Sequence, residues 1–173
     1  FQWTEERGPV KLAIDFHLEA QGGKTVVRLV QSGFGAGPDW DDEFHMVDGG
    51  WAYFVQHLRW YLERHRGTPR DVISFRERVP LSRARAFARL TGPEGFSTRE
   101  ALSSARAGGA FSDRTSAGDA ISGTVVARSD GTGQMGFTIA EANEAILFLE
   151  MEPDPAGCRA GFWLSTYGLP SAR

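Results

Sequence analysis

The sequence has little cysteine, no long apolar run and no large excess of one charge. Its 173 residues include a single cysteine, Cys158, so neither an internal disulfide nor a thiolate metal cluster can form. No stretch approaches the roughly 20 apolar residues that span a bilayer, and residues 1–8 lack the basic start of a secretory signal. The 19 basic and 22 acidic residues give a net charge of −3, which would not attract phosphate backbones or anionic lipids. We therefore expect a cytoplasmic protein with neither nucleic acid nor membrane as a partner.

The usual motifs of catalysis are also missing. The sequence has no Gly-x-Ser-x-Gly nucleophile elbow and no phosphate-binding glycine loop. The acidic run at 39–43 is typical of a helix N-terminus rather than of a cation site, because no glycine stands where a calcium loop needs one. The histidines lack metal-ligand spacing and are expected on the surface: His17, His45, His57 and His65. We predict no catalytic residue, metal or cofactor, and Glu77 is the one acid expected to point inward.

The composition and hydrophobic periodicity predict a globular α+β protein of one domain or parts of two. Hydrophobic residues make up 41% and aromatic residues 12% of the chain. Residues 10–19 alternate as in a half-buried strand, Gly22-Gly23 predicts a hairpin turn, and 25–32 continues as the next strand. A long helix is predicted from Asp41 to Arg66, with a kink or break at Gly49-Gly50.

The second half of the chain predicts a strand, short helices and a closing meander. Residues 71–79 alternate, with Ile73, Phe75 and Val79 expected to face inward, and 81–90 has helical spacing. The segment 92–118 is poor in large apolar residues, so we interpret it as loop with one weak helix. The further predicted strands are 120–128, 136–140, 145–152 and 158–167.

An internal repeat is the most informative pattern in the sequence. A shift of 135 residues places residues 10–34 on 145–169 without a gap, and the apolar positions and the glycines coincide. We therefore predict parts of two copies of one domain, at 1–67 and 71–173. The chain would then be a window from a longer tandem protein, or alternatively the helix at 41–66 closes the second copy's sheet and no residues are missing.

Two segments resemble one known superfamily. The run from Thr25 to Phe34, followed by Trp40, acidic residues and Gly50-Trp51 at a helix, resembles the C-terminal half of START-like (SRPBCC) proteins. The closest likeness is to the branch named after activators of heat-shock-protein ATPase, and Phe75 to Thr91 resembles that family's opening segment. The resemblance implies a helix-grip fold, in which a curved antiparallel sheet wraps around a long helix with a hydrophobic cavity between them. Gln31 replaces a common histidine, and the tryptophan expected after the opening helix is absent from 92–118, so the second copy looks degenerate.

This resemblance leads to a ligand-binding hypothesis. We expect the cavity to be lined by helix residues Trp51, Phe54, Leu58 and Tyr61 and by strand residues Val27, Leu29 and Gln31. The plain alternative is that these side chains form ordinary core. The favoured function is non-enzymatic binding of a hydrophobic small molecule, and an enzyme of cyclase or hydrolase type is another alternative.

A third hypothesis is a protein-interaction module resembling the heat-shock ATPase activators. Arg83 and Arg85 belong to a local basic patch that would dock a chaperone or another acidic protein. Two half-domains with exposed strand edges would also favour a homodimer.

Overall fold

The computed structural model describes residues 2–7 and 10–169, and it divides into two compact units, 1–45 and 46–173. The elements in chain order are β1 (Gln2–Arg7), β2 (Val10–Gln21), β3 (Lys24–Ser32), α1 (Pro38–Arg64), β4 (Arg70–Val79), α2 (Arg83–Thr91), α3 (Ala101–Ser104), β5 (Ala110–Arg114), β6 (Ala120–Ser129), β7 (Gln134–Ile139), β8 (Ala145–Asp154) and β9 (Gly157–Tyr167). No helix among the described residues is long and apolar enough to cross a membrane.

The first unit is built on a three-stranded antiparallel sheet in the order β1-β2-β3. The predicted turn lies at Gly22 and Gly23, and both glycines have positive φ, which a residue with a side chain rarely adopts. Leu12 and Ile14 of β2 are buried, as their alternation predicts, whereas Leu18 further along the strand is 70% exposed.

Helix α1 is continuous through the glycine pair that predicts a kink or break. It starts at Pro38, whose missing N–H costs nothing at the first helical position, and runs to Arg64. Gly49 serves a close approach instead, because a Cβ at this position would overlap the side-chain amide of Gln134. That amide nitrogen donates to the carbonyl oxygen of Met46 at 3.0 Å. Gly49 therefore allows the helix to lie close to the sheet, and the glycine pair does not interrupt it.

The second unit contains an open six-stranded antiparallel sheet in the order β4-β9-β8-β7-β6-β5, with α1 packed against it. This confirms the predicted α+β class of an antiparallel sheet held against a long helix. The two faces of β8 alternate. One face, with Leu147 and Leu149, packs under α2 and α3, and the other, with Ile146 and Phe148, packs under α1.

Strand β5 lies inside the segment predicted as loop. Its buried residues are Phe111 and Asp113, so the alternation contains only one large apolar side chain. The Asp113 carboxylate accepts hydrogen bonds from the backbone N–H groups of Arg99 and Arg114, and these bonds lower its pKa. Because a buried acid occupies a core position here, hydrophobic periodicity does not detect the strand.

The helix predicted inside 92–118 is shorter than expected, and a residue of β6 supports it. Helix α3 has four residues, and the Arg128 guanidinium donates to the carbonyl oxygens of Leu102 and Ala105 at 2.8 and 2.9 Å. Leu102 is fully buried in the core.

The two repeated hairpins differ in their turns. The β2-β3 turn lies at 22–23, so the 135-residue shift would place the second turn at 157–158, whereas the β8-β9 turn lies at 155–156. A gap-free shift of 135 residues therefore aligns the alternating strand residues but not the two turns. Duplication of one domain stays a prediction.

Candidate ligand-binding cleft

Four rings at four-residue spacing lie against the sheet: Tyr53, His57 and Tyr61 on α1, and His65 directly after the last residue of the helix. Tyr53 stacks on Phe148 with ring centroids 4.1 Å apart, and His65 stacks on Tyr167 at 4.0 Å. The prediction that His57 and His65 lie on the surface is wrong, because each is only 6% exposed. Hydrophobic periodicity selects the apolar residues of the helix and therefore does not identify this seam. The four-residue spacing of the four rings is the sequence pattern that predicts it.

His57 and the two tyrosines near it, Tyr53 and Tyr167, stay uncharged at neutral pH. Burial, with a smaller effect from the Arg70 charge, lowers the pKa of His57 to about 4. Burial likewise raises the pKa values of Tyr53 and Tyr167. Nε2 of His57 and the Tyr167 hydroxyl are hydrogen-bonded. His57 therefore anchors the helix as a neutral imidazole, and its pKa is too low for acid-base chemistry near neutral pH.

Three of the nominated helix residues lie on one flank of this seam. Phe54 is 49% and Leu58 47% exposed, and Trp51 is half-buried. A series of ring contacts leads from the helix to the sheet, with centroid distances of 6.1 Å from Trp51 to Phe54, 6.3 Å from Phe54 to Phe148 and 5.7 Å from Phe148 to Trp163. The side chains on this flank are thus ordered by neighbours and still partly open to solvent.

We define the aromatic cleft as the surface formed by Trp51, Phe54, Leu58, Tyr61 and Trp163 around the buried ring of Phe148. Tyr61 connects it to the seam, since its ring lies 5.9 Å from that of Tyr167. A cation stands at its sheet side, because the Arg76 guanidinium lies 4.7 Å from the Trp163 ring centroid and 3.0 Å from the Glu152 carboxylate. The cleft therefore offers aromatic surface with an arginine–glutamate ion pair at one edge.

The three nominated strand residues belong to the first unit. Val27 is 39% exposed, and Leu29 and Gln31 are half-buried. Gln31 pairs with Ile14 across the β2-β3 ladder. The four helix residues belong to the second unit, so the cleft as described contains only that unit's part of the predicted lining.

The two nominated arginines begin α2 and have different surroundings. The Ser82 side chain caps the helix by accepting from the Arg85 backbone N–H at 3.4 Å. Arg83 is half-buried, and its guanidinium contacts the Met46 sulfur at 3.8 Å. Arg85 is exposed and lines a shallow groove of about 400 Å³. The other residues of this groove are Leu81, Ala88, Arg89, Gly92, Pro93 and Glu94.

Acids and the thiol of the second unit show no arrangement for catalysis. Glu77, expected to point inward, is exposed on β4. Glu150 is the half-buried acid, and burial raises its pKa while Gln134 donates to it at 2.8 Å. Burial also raises the pKa of the Cys158 thiol, which suits the packing role expected for it. The described residues contain no cluster of three potential metal ligands.

Comparison with known proteins gives structural likenesses alone. No protein-family model matches the chain, and no curated protein matches it. The chain is similar to the solved structure of Ara h 8.0201, with 11% identity, a TM-score of 0.45, and coverage of 61% of this chain and 82% of that one. It is also similar to the protein of unknown function SA2116 from Staphylococcus aureus, with 12% identity, a TM-score of 0.45 and coverage of 63% and 76%. A third similar structure is that of MLL2253 from Mesorhizobium loti, with 13% identity, a TM-score of 0.43, and coverage of 56% of this chain and 76% of that one.

Proposed function

We propose that this protein binds a hydrophobic small molecule in the aromatic cleft without catalysing a reaction. The observation that carries the proposal is the series of ring contacts from Trp51 to Trp163, beside which Phe54 and Leu58 keep about half of their surface exposed. The START-like resemblance of the sequence supports the same class of ligand.

The geometry favours an apolar ligand with a planar part. Aromatic rings fixed by neighbours lose little side-chain freedom on binding, so little ordering entropy opposes it. Covering the exposed halves of Phe54 and Leu58 would contribute about 1 kcal/mol each.

Titration with a lipophilic fluorescent probe tests this proposal, together with native mass spectrometry of freshly purified protein. We expect one bound molecule, and we expect the double variant Phe54→Ala/Leu58→Ala to weaken probe binding by about tenfold or more. Leu18→Ala is the control, because it removes an exposed leucine in the other unit. Equal weakening by the control, or a wild-type protein that binds no probe, would contradict the proposal.

A second candidate function is docking of an acidic protein segment on α2. It is supported by the groove beside Arg85, where Arg89 adds a second guanidinium, 3.6 Å from Glu94, and Leu81 and Pro93 add apolar surface. A chaperone is the partner class that the family resemblance suggests.

This candidate predicts different effects of the two nominated arginines. Arg85→Ala should weaken binding of an acidic peptide about threefold to tenfold at low salt, and the effect should shrink as salt is added. Arg83→Ala should weaken binding less, because its guanidinium contacts the Met46 sulfur. Arg106→Ala removes the same charge from an exposed loop position and serves as the control in fluorescence anisotropy. Equal effects of Arg85→Ala and Arg106→Ala would exclude a specific site.

A further inference from the structure

Strand β4 forms an open edge of the six-stranded sheet. Within the part of the chain that the structure describes, β4 pairs with β9 on one side, and the sheet order places nothing beyond it on the other. Residues 70–78 are all exposed. A long edge of this kind presents backbone N–H and C=O groups that can pair with another strand.

The middle of this edge is apolar. Ile73 and Phe75 lie on one face of β4 and are 61% and 52% exposed, and Val72 on the opposite face is 47% exposed. Phe75 is held in place by stacking on Phe162, with ring centroids 4.5 Å apart. Such a stretch favours pairing with another strand, because pairing buries apolar side chains and also forms backbone hydrogen bonds.

The charges that could protect the edge are engaged within the same sheet. Arg76 lies 3.0 Å from the Glu152 carboxylate, and Arg78 lies 3.1 Å from that of Asp154. Natural edge strands often avoid pairing by free lysines, prolines or inward charges. Between residues 72 and 75 β4 has none of these.

We propose that two copies of this chain pair antiparallel through β4, with Phe75 of one copy directly opposite Phe75 of the other. This register places Ile73 opposite Glu77 and Ser74 opposite Arg76 of the other copy. It opposes no two like charges along the strand. The two sheets then join into one continuous sheet, and the exposed aromatic rings cover each other.

The neighbouring symmetric registers are electrostatically worse. With Ser74 on the two-fold axis, Asp71 would face Glu77 and Arg70 would face Arg78. With Arg76 on the axis, the two copies of that arginine would face each other. Like charges directly opposite in antiparallel strands are destabilising, so the charge pattern selects the register centred on Phe75. This self-complementarity favours a second copy over an unrelated peptide.

Sedimentation velocity over a range of protein concentrations tests the association. We expect the wild type to show a monomer-dimer equilibrium. Phe75→Lys places two like charges opposite each other, and Ile73→Glu places a glutamate opposite Glu77 of the other copy, so we expect each to raise the dimer dissociation constant by about tenfold or more. Leu18→Lys and Leu18→Glu place the same charges on an exposed apolar site of another strand and should leave the equilibrium unchanged. Circular dichroism checks that each variant is folded. A wild type that is monomeric throughout, or equal dissociation by Leu18→Lys, would overturn the proposal.

Single cysteines test the register. Directly opposite residues of antiparallel strands have Cβ atoms about 5 Å apart, so Phe75→Cys should form an intermolecular disulfide under mild oxidation. Two copies of Ile73 would lie about 13 Å apart along the strands, so Ile73→Cys should cross-link at least about tenfold more slowly. Cys158 is buried and is present in both variants. Equal cross-linking rates would overturn the proposed pairing.

Discussion

Replacing Tyr53 by alanine is expected to lower the free energy of unfolding by about 3 to 5 kcal/mol. The Tyr53 side chain is 1% exposed and stacks on Phe148 at 4.1 Å. Gly136 lies directly beneath the ring, so a Cβ there would overlap it. Urea denaturation followed by circular dichroism measures the change.

Phe54 provides the control for this prediction, because it is the next residue on the same helix. Its side chain is 49% exposed, so Phe54→Ala should cost about 1 kcal/mol. The ratio of the two effects measures which face of α1 packs on the sheet. Equal losses, or a larger loss from Phe54→Ala, would mean that the helix is rotated from the orientation described above.

Acidification from pH 7 to pH 4 is expected to remove about 2 kcal/mol of stability through His57 alone, allowing for partial screening by solvent. In the folded protein, burial first and the charge of Arg70 second lower the pKa of this imidazole from 6.5 to about 4. Between these two values the unfolded chain binds the proton and the folded chain does not. Stability from this group is therefore fully present above about pH 6.5 and is lost as the pH falls towards 4.

Chemical denaturation at a series of pH values measures this effect. His57→Phe keeps a ring on the seam and removes the titrating group, so the difference from the wild type should grow as the pH falls from 6.5 to 4. His17 is exposed on β2, and His17→Phe serves as the control variant. Since Glu150 titrates in both proteins, the subtraction isolates His57. Parallel pH profiles for wild type and His57→Phe would contradict the prediction.

Local patterns in the sequence were enough to predict most of the elements. Period-two alternation located β8 and β9 to within two residues, and helical spacing located α1 to within three. Strand β5 was not predicted because its inward positions include the acid Asp113, whose burial depends on donors more than ten residues away in the chain. The inward positions predicted in β4 are exposed at Ile73 and Phe75, because alternation fixes the face of a strand but not whether another layer covers it.

The candidate cleft was predictable only on its helical side. Trp51, Phe54, Leu58 and Tyr61 follow from spacing along one helix. Phe148 and Trp163, which complete the ring contacts, depend on the register between β8 and β9, where they lie directly opposite each other. That register is fixed by the turn at 155–156. The internal repeat predicts this turn at 157–158, two residues later. The sequence pattern alone therefore did not predict that the two rings lie opposite each other.

The contact of Arg128 with α3 has a consequence for how the second unit loses its structure. A helix of four residues is not stable by itself, because the conformational free energy needed to nucleate a helix exceeds the stabilisation from the hydrogen bonds of one turn. Its carbonyl end is held by a guanidinium that belongs to β6. Helix α3 therefore depends on β6 for its stability. We expect the helix and the strand to unfold together in one cooperative step.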